Sequence, residues 1–215
     1  MYKHIIWDWN GTLLDDVELS LTAINVVLER YGLSVLARER YLEIFTFPVV
    51  DYYKTLGFDF NRTPFSQVGT EFIDEYTSRM LTVDLNPGAR EFLEQVRTAG
   101  LSQSLLSAAK VQMLETLTRH HRLREYFLRI VGLDNHYANS KLAAGQAWMR
   151  ELGFVPAEIL YIGDTIHDVD VAGEIGVDIV LLALGHTSRR RLAASGKPLF
   201  ADFAELSAWF RVLTD

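Results

Sequence analysis

Cysteine is absent from this 215-residue chain. That excludes disulfides, thiolate zinc sites and cysteine nucleophiles, and it fits a reducing compartment. Positive charge is the minority: 21 Lys and Arg stand against 28 Asp and Glu, a net charge of −7. Such a balance argues against a nucleic-acid-binding surface. Long apolar runs are also missing, so no stretch reads as a bilayer-crossing helix, and the first residues lack the three regions of a signal peptide. There is no internal repeat and no low-complexity segment. The expectation is a soluble, cytoplasmic protein that engages neither membrane nor nucleic acid. What the chain does have is apolar content, 49%, an ordinary share for one or two domains with a sizeable core.

The stretch IIWDWNGTLLDD, residues 5–16, runs from an apolar strand into an acid, an amide and a glycine. Asn-Gly between apolar flanks is the strongest short-range hairpin signal, and as a hairpin the stretch would have no chemistry. No second strand follows, however. Asp15 and Asp16 read as a helix N-cap, after which Val17, Leu21, Ile24, Leu28 and Tyr31 recur at helical spacing up to Gly32. The order is strand, tight turn, helix, with Asp8 at the strand's carboxyl end, where open α/β sheets keep their sites.

Further along, the spacing predicts strands near 101–106, 129–133, 158–162 and 177–182, alternating with helices near 87–99, 111–121, 141–152, 169–175 and 203–213. Apolar strands alternating with helices predict an α/β fold with a doubly wound parallel sheet covered on both faces. The block at 14–82 is almost wholly helical and interrupts this rhythm. It reads as an inserted helical domain, leaving 1–13 and 83–215 as the core.

A second acidic turn, YIGDTIHDVDVAGEIG at 161–176, also ends a strand in an acid. Asp164 or Thr165 can cap the following helix, with Asp168 and Asp170 favoured by its dipole. Two such strands can equally bring their carboxylates onto one hard cation such as magnesium, which takes a few oxygens and bridges to phosphate. Ser107 in LLSAAK follows a strand and precedes a helix, a place for either a cap or a phosphate contact. Lys141 opens a helix, where a cation opposes the dipole; it is either a solvated surface lysine or a charge aimed at a phosphate.

These four stretches, in this order, resemble the motifs of the haloacid dehalogenase (HAD) superfamily of phosphatases and phosphotransferases. Its Asp-x-Asp-Gly-Thr corresponds to Asp8-Trp9-Asn10-Gly11-Thr12, its Ser or Thr to Ser107, its Lys to Lys141, and its Gly-Asp-(Ser/Thr)-x-x-Asp to Gly163–Asp168. The helical block and the tail GHTSRRRLAASGKPLFADFAEL are similar to the phosphoglycolate-phosphatase-like branch with a helical cap. The resemblance implies a Rossmann-like core and a magnesium-dependent phosphatase acting on a small phosphorylated metabolite. Asp8 would be the nucleophile and form an aspartyl-phosphate. Asp8, the backbone carbonyl of Asn10, Asp164 and Asp168 would hold Mg2+, Asp168 indirectly or through water. Ser107 and Lys141, with N–H groups of Gly11, Thr12 and Ala108, would hold the phosphoryl oxygens. The protein would be a monomer or a homodimer.

One residue departs from the pattern. Most phosphatases of the superfamily carry a second Asp where this chain has Asn10. An amide keeps the backbone carbonyl but cannot act as general acid or base, a loss of about two to four powers of ten for a poor leaving group. His167 or His136 could replace it, or either could be a plain loop residue. His120 and His121 read as a solvated face. The segment PVVDYYKTLGFDF at 48–60 lacks clean helical periodicity and reads as a specificity loop, although Tyr52, Tyr53, Phe58 and Phe60 can simply pack the cap's own core. Two alternatives remain open: a phosphometabolite-binding protein with little turnover, or a phosphotransferase or phosphonatase-like enzyme, for which Lys54 would be the cap's one Schiff-base candidate.

Overall fold

A computed structural model of the chain describes residues 1–133 and 141–214. His136 lies outside these residues. Six strands form one sheet among them: β1 (His4–Trp7), β2 (Ser102–Lys110), β3 (Arg129–Leu133), β4 (Ile159–Gly163), β5 (Asp178–Leu182) and β6 (Leu199–Phe200). Their order is β3-β2-β1-β4-β5-β6, and every pairing is parallel. The chain steps outward from β1 through β2 to β3, then returns to the other side of β1 for β4. That reversal makes a crevice at the carboxyl ends of β1 and β4.

β1 is a run without alternation because both of its faces are covered. Ile5 and Trp7 enter one apolar cluster, with Phe92, Leu105, Leu160 and Phe203, while Ile6 enters the opposite one, with Leu106, Trp148 and Tyr161. The Trp7 indole N–H, buried, donates to Gln103 Oε1 at 2.9 Å, so a polar strand residue that weakened the sequence signal for β2 serves as its partner. His4 is likewise fully buried, between the Ser102 and Ser104 hydroxyls at 2.7 and 2.8 Å.

The faces are covered by α5 (Ala89–Thr98), α6 (Val111–His120), α7 (Lys141–Leu152), α8 (Ile166–Ile175) and α10 (Phe203–Thr214). Between β1 and α5 come α1 (Val17–Arg30), α2 (Arg38–Ile44), α3 (Val49–Thr55) and α4 (Phe65–Thr77). These four share a separate core of Val17, Ile24, Val27, Leu28, Tyr41, Tyr52, Tyr53, Phe58 and Val68.

Several expectations are corrected. Ser107 lies inside β2 rather than after it, within a register shift between Leu106 and Lys110, beyond which the strand pairs again with β3 at Leu133. Residues 49–55 form α3, a helix; its aromatic positions blur the periodicity because they face both the small core and a pocket. Asp16 precedes α1 but makes no side-chain cap; its carboxylate turns back into the preceding loop. His121 is half-buried against Trp9 rather than solvated. The short α9 (Arg189–Ala193) and β6 carried no usable periodicity and were not anticipated.

Candidate active site

Four chain segments deliver side chains to the crevice. Asp8 follows β1, its N–H donating to Ile162 O at 2.9 Å, so the nucleophile candidate is fixed to the neighbouring strand by backbone. Asp164 follows β4, Asp168 sits one turn into α8, and Lys141 opens α7. All four are buried. The Lys141 ammonium contacts Asp8 Oδ1 directly and lies 2.5 Å from Asp168 Oδ1. The buried position of Lys141 rules out the surface-lysine alternative.

Asp168 combines the capping and the functional readings of the second acidic turn. Thr165 is the N-cap of α8, and its hydroxyl and N–H donate to Asp168 Oδ2 at 2.7 and 2.9 Å in a capping box. The other oxygen, Oδ1, takes Lys141 and the Tyr161 hydroxyl at 3.2 Å. One carboxylate thus terminates a helix and aims an ammonium.

The loop after β1 closes tightly over Asp164. Thr12 Oγ1 donates to Asp164 Oδ1 at 2.6 Å, and His186 N–H donates to Oδ2 at 2.7 Å. Gly11 adopts a φ of +74°, and a Cβ there would lie 2.5 Å from Asp164 Oδ2. Only glycine meets both demands. Asn86 Nδ2 donates to the carbonyls of Gly11 and Thr12 at 3.0 and 2.9 Å and pins the loop from below. Ser107 is buried, and its hydroxyl accepts from Ala109 N–H at 3.1 Å without reaching the acidic cluster, while Ala108 lines the adjoining pocket.

Oxygens of Asp8, Asp164 and Asp168 all lie within 4.8 Å of one another. Burial, the largest influence, pushes the Asp8 carboxyl well up; the neighbouring carboxylates add to this and Lys141 opposes it. Burial likewise raises Asp164 to about 6. Burial also works against ionised Asp168, yet Lys141 and the Thr165 hydrogen bonds hold it below the usual range. Lys141 resists its own burial, because Asp168 and Asp8 keep it protonated. Three carboxylates facing one ammonium leave an excess of negative charge, and the donors are all oxygen. That set fits a hard divalent cation.

Sequence reasoning missed a second polar cluster. Asn10 Nδ2 donates to Asp16 Oδ2 at 2.7 Å and to the Tyr76 hydroxyl at 2.9 Å. Fully buried Asp16 also accepts from Gly11 N–H at 2.8 Å, from the Tyr76 hydroxyl at 2.8 Å and from His186 Nε2 at 3.2 Å. His186 Nδ1 meets the Tyr41 hydroxyl at 2.8 Å. Burial alone would lower the His186 pKa; pairing with Asp16 instead raises it to about 9, so the ring is an imidazolium at neutral pH. The one available signal was position: His186 follows β5 as Asp8 follows β1. His167 stacks on Phe47 with ring centroids 4.6 Å apart. Lys54 bonds exposed Asp51 at 2.8 Å, on the surface.

Residues 5–182 match the model of the haloacid dehalogenase-like hydrolases, and the chain belongs to that family. Along nearly its whole length it is similar to phosphoglycolate phosphatases. Among its relatives, the phosphoglycolate phosphatase of Synechococcus elongatus is 25% identical, over 89% of this chain and 88% of that protein. That of Vibrio parahaemolyticus is 22% identical over 93% and 92%. Among solved structures, a haloacid dehalogenase-like hydrolase from Streptococcus pneumoniae superposes with a TM-score of 0.84 at 16% identity, covering 97% of this chain and 98% of that one. CbbY from Rhodobacter sphaeroides in complex with phosphate gives 0.75 at 22% identity, covering 96% of each.

Proposed function

We propose that the chain is a magnesium-dependent phosphatase that hydrolyses a small phosphorylated metabolite through an aspartyl-phosphate on Asp8. The observation that carries this reading is the buried contact of Asp8 with Lys141, itself aimed by Asp168. A purely phosphate-binding site needs no carboxylate nucleophile in its centre. Asp8, the Asn10 backbone carbonyl and Asp164 would hold the magnesium, with Asp168 acting indirectly or through water. The metal would supply charge neutralisation for the phosphoryl group.

In this reading an oxygen of Asp8 attacks phosphorus and the bond to the leaving oxygen breaks. Lys141, with N–H groups of Thr12 and Ala108 and the Ser107 hydroxyl, stabilises the phosphoryl oxygens in a low-dielectric setting, whereas the Gly11 N–H expected to join them is taken by Asp16 Oδ1 at 2.8 Å. Water then cleaves the acyl phosphate and regenerates Asp8. The helical block of residues 14–82 serves as the cap that closes over the site and selects the substrate.

Release of inorganic phosphate from an activated phosphate ester, with and without magnesium, tests the proposal on wild type and Asp8→Asn. Magnesium-dependent release that disappears in Asp8→Asn is expected. Tight phosphate binding with no release from any ester would favour the binding-protein alternative, which Asn10 keeps open.

A further inference from the structure

A pocket of about 200 Å³ lies between the helical block and residues that flank the acidic crevice, Asn10, Ala108 and His186. Its floor is Asn10, Asp16, His186 and Ala108. Its walls are aromatic: Tyr41, Phe45, Tyr52, Phe72 and Tyr76 all line it. From the helical block no cation joins this lining among the described residues; the one ammonium on the wall is Lys110, from the end of β2. A dry cavity of about 150 Å³ lined by aliphatic and aromatic groups already accepts benzene. Tyr52 adds a specific mark, since its buried hydroxyl has no hydrogen-bond partner although the ring lines the pocket. A ligand substituent would satisfy it.

The floor restricts the leaving group as well. The Asn10 amide is held by Asp16 and Tyr76. Both ring nitrogens of His186 are engaged, one by Asp16 and one by Tyr41. Asp16 already accepts from Gly11, Asn10, Tyr76 and His186. No group on this floor is placed to protonate a departing alkoxide.

Resting on the phosphatase reading above, we propose that the substrate is an aryl phosphate monoester, its ring held among Tyr41, Phe45, Tyr52, Phe72 and Tyr76. Asp8 takes the phosphoryl group, and the phosphorus–oxygen bond breaks with its electron pair on the aryl oxygen. The aryloxide leaves as the anion and takes its proton from solvent. Water then attacks the phosphorus of the aspartyl-phosphate, the bond to Asp8 breaks, and the water's proton passes to solvent.

The test compares phenyl phosphate, acetyl phosphate, ethyl phosphate and 2-phosphoglycolate on wild type, Asp8→Asn and Phe72→Ala, with magnesium present. Phenyl phosphate is expected to exceed ethyl phosphate and 2-phosphoglycolate in kcat/KM by about 100-fold or more. Acetyl phosphate, activated but without a ring, is expected to show a higher KM than phenyl phosphate. Phe72→Ala is expected to raise KM about tenfold for phenyl phosphate alone, and turnover of acetyl phosphate by the same variant shows that it is folded. Equal or better turnover of 2-phosphoglycolate, lost in Asp8→Asn, would overturn the aryl assignment and leave the phosphatase standing. So would a KM for acetyl phosphate as low as that for phenyl phosphate. Silence on all four substrates, with no phosphorylation of Asp8, would remove the phosphatase reading itself.

Discussion

An amide at residue 10 brings two N–H donors to a place where a carboxylate brings none, and the Asp16 carboxylate and the Tyr76 hydroxyl accept them. Asn10→Asp therefore does more than supply an acid: it sets two carboxylates 2.7 Å apart, the present amide–carboxylate distance. Like charges so close retain a proton between them, raising a carboxyl pKa in the folded state. A raised acid stabilises the fold at low pH and loses that contribution as pH rises through the folded value. Asn10→Asp is expected to melt below wild type at pH 7.5, by about 2 kcal/mol, with the gap narrowing at pH 5. Thermal melts at the two pH values check this, and a gap that widens at pH 5 contradicts it. At Tyr52, the orphaned hydroxyl costs stability in the ligand-free protein. Tyr52→Phe should melt slightly higher, by about 1 kcal/mol, and a lower melting temperature would show an unseen partner.

At the scale of elements, β1 and the loop after β5 each carry a histidine whose environment fixes its charge, with opposite signs. Burial lowers the His4 pKa to about 4, so the ring is neutral between the serine hydroxyls of β2. A base with a lowered folded pKa loses its contribution as pH falls from 6.5, its unfolded value, towards 4. An NMR titration of the His4 ring should give a midpoint near 4, and a midpoint near 6.5 would mean that water reaches β1. His186 behaves in the reverse way. With Asp16 raising it to about 9 against burial, its contribution is present below pH 6.5 and is lost as pH rises through 9. Melting temperatures of metal-free wild type should fall between pH 7 and 9.5, and Asp16→Asn should flatten that slope while lowering the plateau.

Over the whole molecule, polar contacts gather where the helical block meets the sheet. Tyr41 of α2 meets His186, Tyr76 of α4 meets Asn10, Arg191 donates to the carbonyls of Leu42 and Phe45, and Arg190 pairs with Glu43 at 2.5 Å. The exposed Arg190–Glu43 pair adds little; the buried Asp16 cluster is the stronger tie. The acidic crevice sits beneath this junction, and under the proposed function an ion held by its carboxylates would add to stability. Magnesium at a hundredfold excess over its Kd should stabilise the protein by about 2.7 kcal/mol. The rise in melting temperature should shrink in Asp164→Asn, and an equal rise in the variant would place the ion elsewhere.

The alternation of strands and helices, and the two acidic strand ends, were legible without coordinates because they are local. A parallel strand covered on both faces is a continuous apolar run, and Asp8 and Asp164 each stand at the carboxyl end of such a run. The ends of β2 and α3 were not legible, since a bulge and a two-sided aromatic helix both break the period that reading depends on. Lys141 could not be told from a surface lysine by its neighbours in sequence: its burial depends on Asp8 and Asp168, 133 and 27 residues away. Asp16 read as a cap because a cap is what the next three residues ask for, whereas its carboxylate is claimed by Asn10 and by His186, 170 residues distant. By itself the sequence determined which residue types stand at which strand ends. Only the tertiary structure decided which of those charges are out of water and paired, because desolvation and Coulomb attraction depend on distance in space and not along the chain.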